Sequence, residues 1–182
     1  MKSARKNPTE QEQKILDEIS LVLLEEKHER KELQAFLKEH HYLGELQASG
    51  EQLHYFIVDG QGEKIGGFIF SEACKRLKWR DNFIGWTDEQ RRRRLGMVVN
   101  NSRFVLKLDK SVPNLGSRAL KLVLQRLSDD WQKKYKHPVL LVETFVDPHF
   151  FNGACYRANL AGAPRGGKDL AAFAKRLSIT QR

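Results

Sequence analysis

The sequence predicts an α/β (α+β) fold in which a mixed β-sheet is flanked by helices. Two apolar runs on either side of residues 59–62, an Asp-Gly-Gln-Gly turn, have the pattern of a β-hairpin. Further along, a strand, a long amphipathic helix and a second strand follow one another, which is the order of a βαβ unit with parallel strands. The chain has 182 residues, 40% of them apolar, and suits a single domain over 1–182.

The N-terminal part of the chain is predicted to be helical. Thr9 and Glu12 have the spacing of a capping box, and apolar residues at helical spacing extend this first helix to about Glu29. A second helical stretch stops at Gly44, because glycine commonly ends helices. The expected organisation is a helical arm (1–37), a core (38–160) and a basic C-terminal tail (161–182).

Short helices and two strands are predicted after the hairpin. Residues 71–79 form a short helix or a crossover in this interpretation, and Thr87 opens another short helix with a capping box. Residues 96–107 are apolar around a polar middle, and residues 138–146 are mostly apolar, so both predict strands. We expect these strands to be neighbours, with the helix from about Gly116 as their crossover.

The charge of the chain indicates a polyanionic partner. Lys and Arg number 32 against 23 Asp and Glu, a formal net charge of +9. This balance favours nucleic acid as the partner, and a basic surface without such a role is the alternative. The run from Arg91 to Arg94 follows Trp86, and this pattern fits either a solvated helix or a phosphate-binding surface.

The cysteines and the hydropathy of the chain indicate which sites and which cellular locations to expect. Cys74 and Cys155 lie far apart, without the spacing of metal ligands or of a disulfide scaffold. The N-terminus lacks the apolar stretch of a signal peptide, and no apolar run approaches the length of a membrane span. We therefore expect a cytoplasmic protein without a metal site or a membrane partner.

The stretch from Glu143 to Asn159 leads from a buried strand through a Pro/Gly turn into reactive side chains. Cys155 is a candidate nucleophile, with His41 as its base and Glu143 orienting that base. Tyr156 is a candidate general acid. The alternatives that stay open are an inert buried cysteine, a packing tyrosine and a histidine that only caps its helix.

Glu143 lies in an apolar strand, where a carboxylate needs a partner or a proton. Arg103 on the neighbouring strand is the predicted partner, and a purely structural ion pair is one interpretation. The polar run of Asn100, Asn101 and Ser102 favours another interpretation, a polar pocket. The residues expected to line that pocket are Glu143, Cys155, Tyr156, His41, Asn101 and Arg103.

Short motifs between residues 41 and 158 carry a family resemblance. They are His-Tyr-Leu-Gly at 41–44, Gly-Trp at 85–86, Asp-Glu-Gln-Arg at 88–91, Asn-Asn-Ser-Arg-Phe at 100–104, Glu-Thr-Phe-Val-Asp at 143–147 and Cys-Tyr-Arg-Ala at 155–158. The chain resembles, over roughly 38–160, the DruA family, which is named after a protein of the bacterial Druantia anti-phage system. Since similar domains also occur beside transposase sequences, the resemblance implies a role in defence or mobile DNA. Beyond Ala158 the sequence departs from the family's usual tail.

A second resemblance is at the level of fold. The order strand, glycine-containing loop, long helix, strand and a helix bearing Tyr156 is similar to the acyl-CoA-binding core of GNAT acyltransferases. In those proteins a Gly-rich loop at a helix N-terminus holds pyrophosphate, and Gly116 and Ser117 lie at the matching place here. Pro113 and Arg118 depart from the usual pattern. The sequence alone assigns no cofactor, and acyl-CoA is what this second resemblance implies.

The function expected first is a nucleic-acid-associated protein of a defence or mobile-element system, with nucleic acid and other defence-system subunits as partners. Whether it is catalytic stays open. The alternative is a GNAT-like acyl-group or small-molecule transferase that uses a pocket around Glu143 and Cys155. Candidate substrate-binding residues are Trp86, Asn100, Asn101, Ser102, Arg103, Asn114, Ser117, Arg157 and Asn159. Candidate nucleic-acid-binding residues are Arg91, Arg92, Arg94, Arg118 and Lys121.

Overall fold

The computed structural model describes residues 7–107, 112–147 and 153–159, together with the backbone of 171–176. Over these residues, six strands form one sheet in the order in which they occur along the chain. The strands are β1 (Ser20–Leu23), β2 (Gln52–Val58), β3 (Lys64–Glu72), β4 (Val98–Leu106), β5 (Leu141–Val146) and β6 (Ala171–Arg176). The helices are α1 (Glu10–Glu18), α2 (Lys27–His40), α3 (Lys78–Ile84), α4 (Asp88–Arg94), α5 (Leu115–Tyr135) and α6 (Ala154–Asn159).

The sheet is mixed, as the sequence predicts. Strands β1 to β4 are antiparallel neighbours, β4 and β5 are parallel, and β6 is antiparallel to β5. The long helix α5 connects β4 to β5, which confirms the expected βαβ unit. This unit places the polar middle of β4 directly beside Glu143 and Thr144 of β5.

The β2–β3 hairpin is also confirmed, with its turn at the predicted residues. The Asp59 carboxylate accepts hydrogen bonds from the backbone N–H groups of Gln61 at 3.0 Å and Glu63 at 2.9 Å. Gly62 has a φ of 81°, which residues with a side chain rarely adopt. The turn residues therefore set the register in which the two apolar strands pair.

Helices cover both faces of the sheet. Because successive residues of a strand point to opposite faces, Val98 and Val99 mark the two sides. Val99 packs with α5, including Leu120, and α1 and α6 contribute to the same core; we call this side the α5 face. Val98 packs with Leu141 and the tryptophans of the α3–α4 region. Helix α2 covers the other end of that second side through Leu33, and we call it the α2 face.

The N-terminal arm differs from the prediction. The first helix ends at Glu18 instead of continuing to about Glu29, and Ser20–Leu23 pair with β2 as a strand. The apolar residues of this stretch fit either helix or strand, and the open edge of β2 decides between them, since pairing satisfies its backbone groups. Helix α2 likewise ends at His40, before the predicted stop at Gly44.

The predicted basic tail contains a strand that the sequence did not indicate. Residues 171–176 form β6 along the outer edge of β5. The rest of the tail, and residues 148–152 of the predicted Pro/Gly turn, lie outside the described residues. None of the helices in the described part of the chain is long and apolar enough to cross a membrane.

Candidate functional site

Strands β4 and β5 part at one end of their ladder and leave a cleft between them. The ladder ends at the Asn101–Thr144 pair, whereas β4 continues to Leu106. A bulge lies at this point, because Ser102 has no register partner on β3. The cleft has a volume of about 340 Å³, which is within the size range of small-molecule sites.

Asn101 forms the polar apex of the cleft, where the two strands join. Its side chain is only 5% exposed, and its Nδ2 donates to the Tyr156 hydroxyl at 3.0 Å. The Thr144 hydroxyl donates to the Asn101 carbonyl oxygen at 3.2 Å. Within the described residues, however, the buried Asn101 Oδ1 has no hydrogen-bond partner. An unsatisfied buried acceptor costs about 1–3 kcal/mol, so a ligand that donates a hydrogen bond there would be favoured.

Apolar side chains form the walls and rim of the cleft. Phe104, Leu106 and Val146 line the walls. Tyr42 and Leu43, in the loop between α2 and β2, lie at the rim and are 43% and 55% exposed. The cleft therefore suits a ligand with an apolar body and a polar group that reaches the apex.

His41 lines the cleft as a neutral side chain. Its Nδ1 accepts a hydrogen bond from the Leu43 backbone N–H at 3.1 Å, which leaves the ring proton on Nε2. Burial, and next the nearby Arg103, lower the pKa of His41 to about 4. At neutral pH His41 is thus a hydrogen-bond donor through Nε2. It does not fit the predicted role of base for Cys155, because its one unprotonated nitrogen is already bonded and its low pKa makes it a weak base.

Helix α6 presents Cys155 and Tyr156 to the cleft. Burial raises the pKa of the Cys155 thiol, so the sulfur is protonated at neutral pH and is not an activated nucleophile. Burial also raises the pKa of Tyr156, which keeps its phenolic proton. Of these two side chains, Tyr156 has the protonation state that its predicted role as a proton donor requires.

Glu143 lies on the other face of the sheet, so the expected pocket shared with Cys155 is wrong. Its side chain is fully buried on the α2 face, and both of its oxygens accept from Arg80 Nη1, at 3.3 and 3.4 Å. Arg103 instead donates to the backbone carbonyls of Gly44 at 3.1 Å and Glu45 at 3.2 Å. The predicted Glu143–Arg103 pair is therefore also wrong. Burial raises the pKa of Glu143 to about 7 even with Arg80 beside it.

Arg80 organises a buried network that was not predicted from the sequence. Besides Glu143, its guanidinium contacts the Asp81 carboxylate at 3.0 Å. Asp81 also accepts from the Trp86 indole N–H at 3.0 Å and from Arg91 at 3.4 Å. We call these five residues the Arg80 network. It ties α3 and α4 to β5, and it gives Trp86 and Arg91 structural contacts in place of exposed binding surfaces. A signal was available, since a buried Glu143 requires a cation and the α3 region is rich in them.

Comparison with known proteins assigns the chain to a family. The family model described as "Druantia protein DruA" matches residues 3–167. The chain belongs to the DruA family. No match was found among curated proteins.

Solved structures show which fold this DruA-family protein has. Spermidine N-acetyltransferase from Vibrio cholerae, in complex with CoA and spermine, has a TM-score of 0.55 at 8% identity, covering 88% of this chain and 96% of that one. GCN5 from Tetrahymena has a TM-score of 0.51 at 13% identity, covering 87% and 96%. The nucleotide-linked sugar GNAT FdhC in its apo form has a TM-score of 0.51 at 8% identity, covering 88% and 87%. The fold is that of GNAT acetyltransferases.

The N-terminus of α5 borders the cleft of this DruA-family protein through Gly116. Pro113 has no backbone N–H to offer an anion there. Arg118, the second departure from the GNAT pattern, donates from Nε to the Leu16 carbonyl at 3.1 Å and so packs against α1. Asn114 adopts a φ of 68° before the helix. The N-terminus of α5 thus departs from the expected pyrophosphate-binding pattern at Pro113 and Arg118.

Of the remaining candidate residues, some make structural hydrogen bonds and the others are exposed at the surface. Asn159 Nδ2 donates to the Ser117 carbonyl at 3.0 Å and ties α6 to α5. Asn100 faces away from the cleft and donates from Nδ2 to the Ser102 hydroxyl at 3.0 Å, while its buried Oδ1, like that of Asn101, has no partner in the described residues. The exposed candidates are Arg92, Arg94, Asn114, Lys121 and Arg157. The predicted site residues that the structure gathers at the cleft are His41, Asn101, Ser102, Cys155 and Tyr156. No group of side chains suited to hold a metal ion occurs within the described ranges.

Proposed function

We propose that this DruA-family protein is an acyl-group transferase of an anti-phage system, and that its acyl-CoA substrate places the thioester arm in the β4–β5 cleft. The observation that carries the proposal is the position of the buried Asn101 Oδ1, which lacks a partner in the described residues, at the apex of the cleft. The Asn100 Oδ1 is likewise buried without a partner there, but Asn100 does not line the cleft. The GNAT fold supports the substrate class, and the family supports the biological setting.

The protonation states of the cleft favour direct transfer to an acceptor over a covalent enzyme intermediate. In direct transfer an acceptor amine attacks the thioester carbonyl, the C–S bond breaks, and its electron pair leaves on sulfur. The leaving thiolate takes the Tyr156 proton, the proton released by the amine passes to water, and Tyr156 regains a proton from water, which restores the starting state. Because Cys155 stays protonated, a second thioester on this chain is not part of the proposal.

Adjacent asparagines provide a matched test of the cleft. Asn101→Ala removes the side chain at the apex, and Asn100→Ala removes the same side chain from the other face of the sheet. By isothermal titration calorimetry, Asn101→Ala should weaken acetyl-CoA binding about tenfold, the effect of one lost buried hydrogen bond, and Asn100→Ala should leave it unchanged. Equal losses in both variants, or no binding to the wild-type chain, would contradict the proposal.

A second candidate function is association with nucleic acid. The formal net charge of +9 supports it, because a basic surface attracts the phosphate backbone. Fluorescence anisotropy with a labelled oligonucleotide, at low and then moderate salt, should show affinity that falls steeply as counterions compete. An absence of binding at low salt would remove this candidate and leave the transferase proposal intact.

A further inference from the structure

The positive charge is concentrated in the segment between β3 and β4. These strands are antiparallel neighbours, and residues 73–97, which we call the α3–α4 excursion, connect them. The excursion carries eight Lys and Arg side chains against three Asp and Glu. Across the whole chain the numbers are 32 and 23, so the excursion holds much of the positive excess.

The carboxylates of the excursion are already engaged. Asp81 pairs with Arg80 and Arg91, Asp88 pairs with Arg91 at 2.9 Å, and Glu89 pairs with Arg93 at 2.6 Å. The cations left exposed, with no carboxylate partner in the described residues, are Lys75, Arg76, Lys78, Arg92 and Arg94. A surface that keeps several unpaired cations together attracts a polyanion.

Exposed apolar side chains accompany these cations. Phe83 is 48% exposed and Ile84 is 38% exposed at the end of α3. The Arg80 network fastens α3 and α4 to each other and to β5, so the exposed side chains extend from an anchored base. An aromatic ring among cations fits unpaired bases, because each base can stack on the ring while its phosphate meets a cation. In a duplex the faces of the bases are stacked on one another and are not available to the ring.

We propose that the α3–α4 excursion binds single-stranded nucleic acid, with Arg92, Arg94 and the Lys75–Lys78 segment on phosphates and Phe83 under a base. The proposal rests on the nucleic-acid candidate function. It adds to that function the surface that binds and the form of nucleic acid that is bound, a single strand. It excludes Arg118 and Lys121 of α5 from the interface, because α5 lies on the opposite face of the sheet.

A pair of double variants with the same change in charge tests the location. Arg92→Ala/Arg94→Ala removes two cations from the excursion, and Lys121→Ala/Lys133→Ala removes two exposed cations from α5. We expect the first variant to lower affinity for a labelled thymidine oligomer about tenfold at moderate salt and to reduce the salt slope by about 0.7 per lost contact. The control should stay within about twofold of the wild type, and circular dichroism should show both variants folded.

Phe83→Leu tests the strand type while keeping the charge. It should weaken binding of the single strand about fivefold or more, since base stacking contributes about 1–3 kcal/mol, and should leave duplex binding unchanged. Parallel titrations with thymidine and uridine oligomers of equal length show whether DNA or RNA binds more tightly.

Different outcomes would overturn different parts of the proposal. No binding of any oligomer at low salt overturns the nucleic-acid function itself. Binding that both double variants weaken equally overturns the location, because only total charge would then matter. Tighter binding of duplex than of single strand, with Phe83→Leu without effect, overturns the single-strand assignment.

Discussion

Two neighbouring residue pairs of the β4–β5 ladder, which we call rungs, have different surroundings. The Asn101–Thr144 rung faces α5 and opens into the cleft, where Asn101 Oδ1 has no partner in the described residues. The Asn100–Glu143 rung faces α2, and there Arg80 closes over the carboxylate in a fully buried pair. One residue along a strand thus separates a rung that borders a cavity, the open rung, from a rung whose carboxylate is paired inside the protein, the closed rung. The buried Asn100 Oδ1 also has no partner in the described residues, so the cavity, and not an unpaired acceptor, distinguishes the open rung.

The comparison shows that polar residues in an apolar strand do not by themselves mark an active site. The Asn100–Glu143 rung contains a carboxyl group with a raised pKa, yet its surroundings are those of a structural ion pair. The Asn101–Thr144 rung contains no carboxylate, yet it is the one that borders a cavity. Access to a ligand, and not the presence of charge, distinguishes them.

The largest expected effect is on the closed rung. Arg80→Met should lower the free energy of unfolding by about 3–5 kcal/mol, because it leaves Glu143 buried without a cation. Urea denaturation measures this loss. The double variant Arg80→Met/Glu143→Met should recover most of it, since apolar residues can replace a buried pair. A loss below about 1 kcal/mol in the single variant would show that the Arg80 network is not a stabilising centre.

The pH dependence of the unfolding free energy should reveal the titration of Glu143 in the closed rung. The pKa of Glu143 is raised from its usual 4.5 to about 7, so the folded chain holds this proton more tightly than the unfolded chain. The contribution of Glu143 to the free energy of unfolding should therefore fall as pH rises from about 4.5 to about 7. His41 and His54 contribute the opposite slope, because burial lowers their pKa to about 4.

Glu143→Gln isolates the carboxylate from those histidines. The difference in unfolding free energy between wild type and variant, measured by urea denaturation across this pH range, should move in favour of the variant as pH rises. A difference that stays constant with pH would mean that Glu143 titrates as it does in the unfolded chain.

A smaller effect is expected on the open rung. Tyr156→Phe removes the hydroxyl that accepts from Asn101 Nδ2 and should cost about 1 kcal/mol in unfolding free energy. Thermal or urea unfolding measures it. A loss of unfolding free energy as large as that of Arg80→Met would contradict the distinction between the open and the closed rung.

The smallest expected signal is the ionisation of His41 at the rim of the cleft. Its imidazole should stay neutral, with the proton on Nε2, until the pH approaches 4. A ¹⁵N-resolved NMR titration of the ring nitrogens measures both the tautomer and the midpoint. A midpoint near the usual value of 6.5 would contradict the half-buried position of this ring beside Arg103.

The sheet could be predicted to a large extent from local patterns. The turn at 59–62 and the βαβ order of β4, α5 and β5 have short-range signals, and both are confirmed. The stretch Ser20–Leu23 was predicted wrongly as helix, because its apolar spacing fits both structures. The free edge of β2, which lies far away in sequence, decides for a strand.

The site could be predicted only in part, for a related reason. The alternation of β4 correctly indicates that Asn100 and Asn101 face opposite sides. The partner of Glu143 depends on how the α3–α4 excursion folds back over the sheet, and no periodicity of β4 or β5 contains that information. The cleft depends on where two strands stop pairing, which is a property of the whole sheet and of the bulge at Ser102.

The side-chain amide signals of Asn100 and Asn101 test most directly whether the ligand binds on the side of the sheet that Asn101 faces. In ¹H–¹⁵N NMR spectra, titration with acetyl-CoA should shift the Nδ2 signals of Asn101 and leave those of Asn100 in place, because the sheet separates the two side chains. A shift at Asn100 without one at Asn101, or no shift at either under saturating acetyl-CoA, would contradict the assignment of the open rung as the binding site.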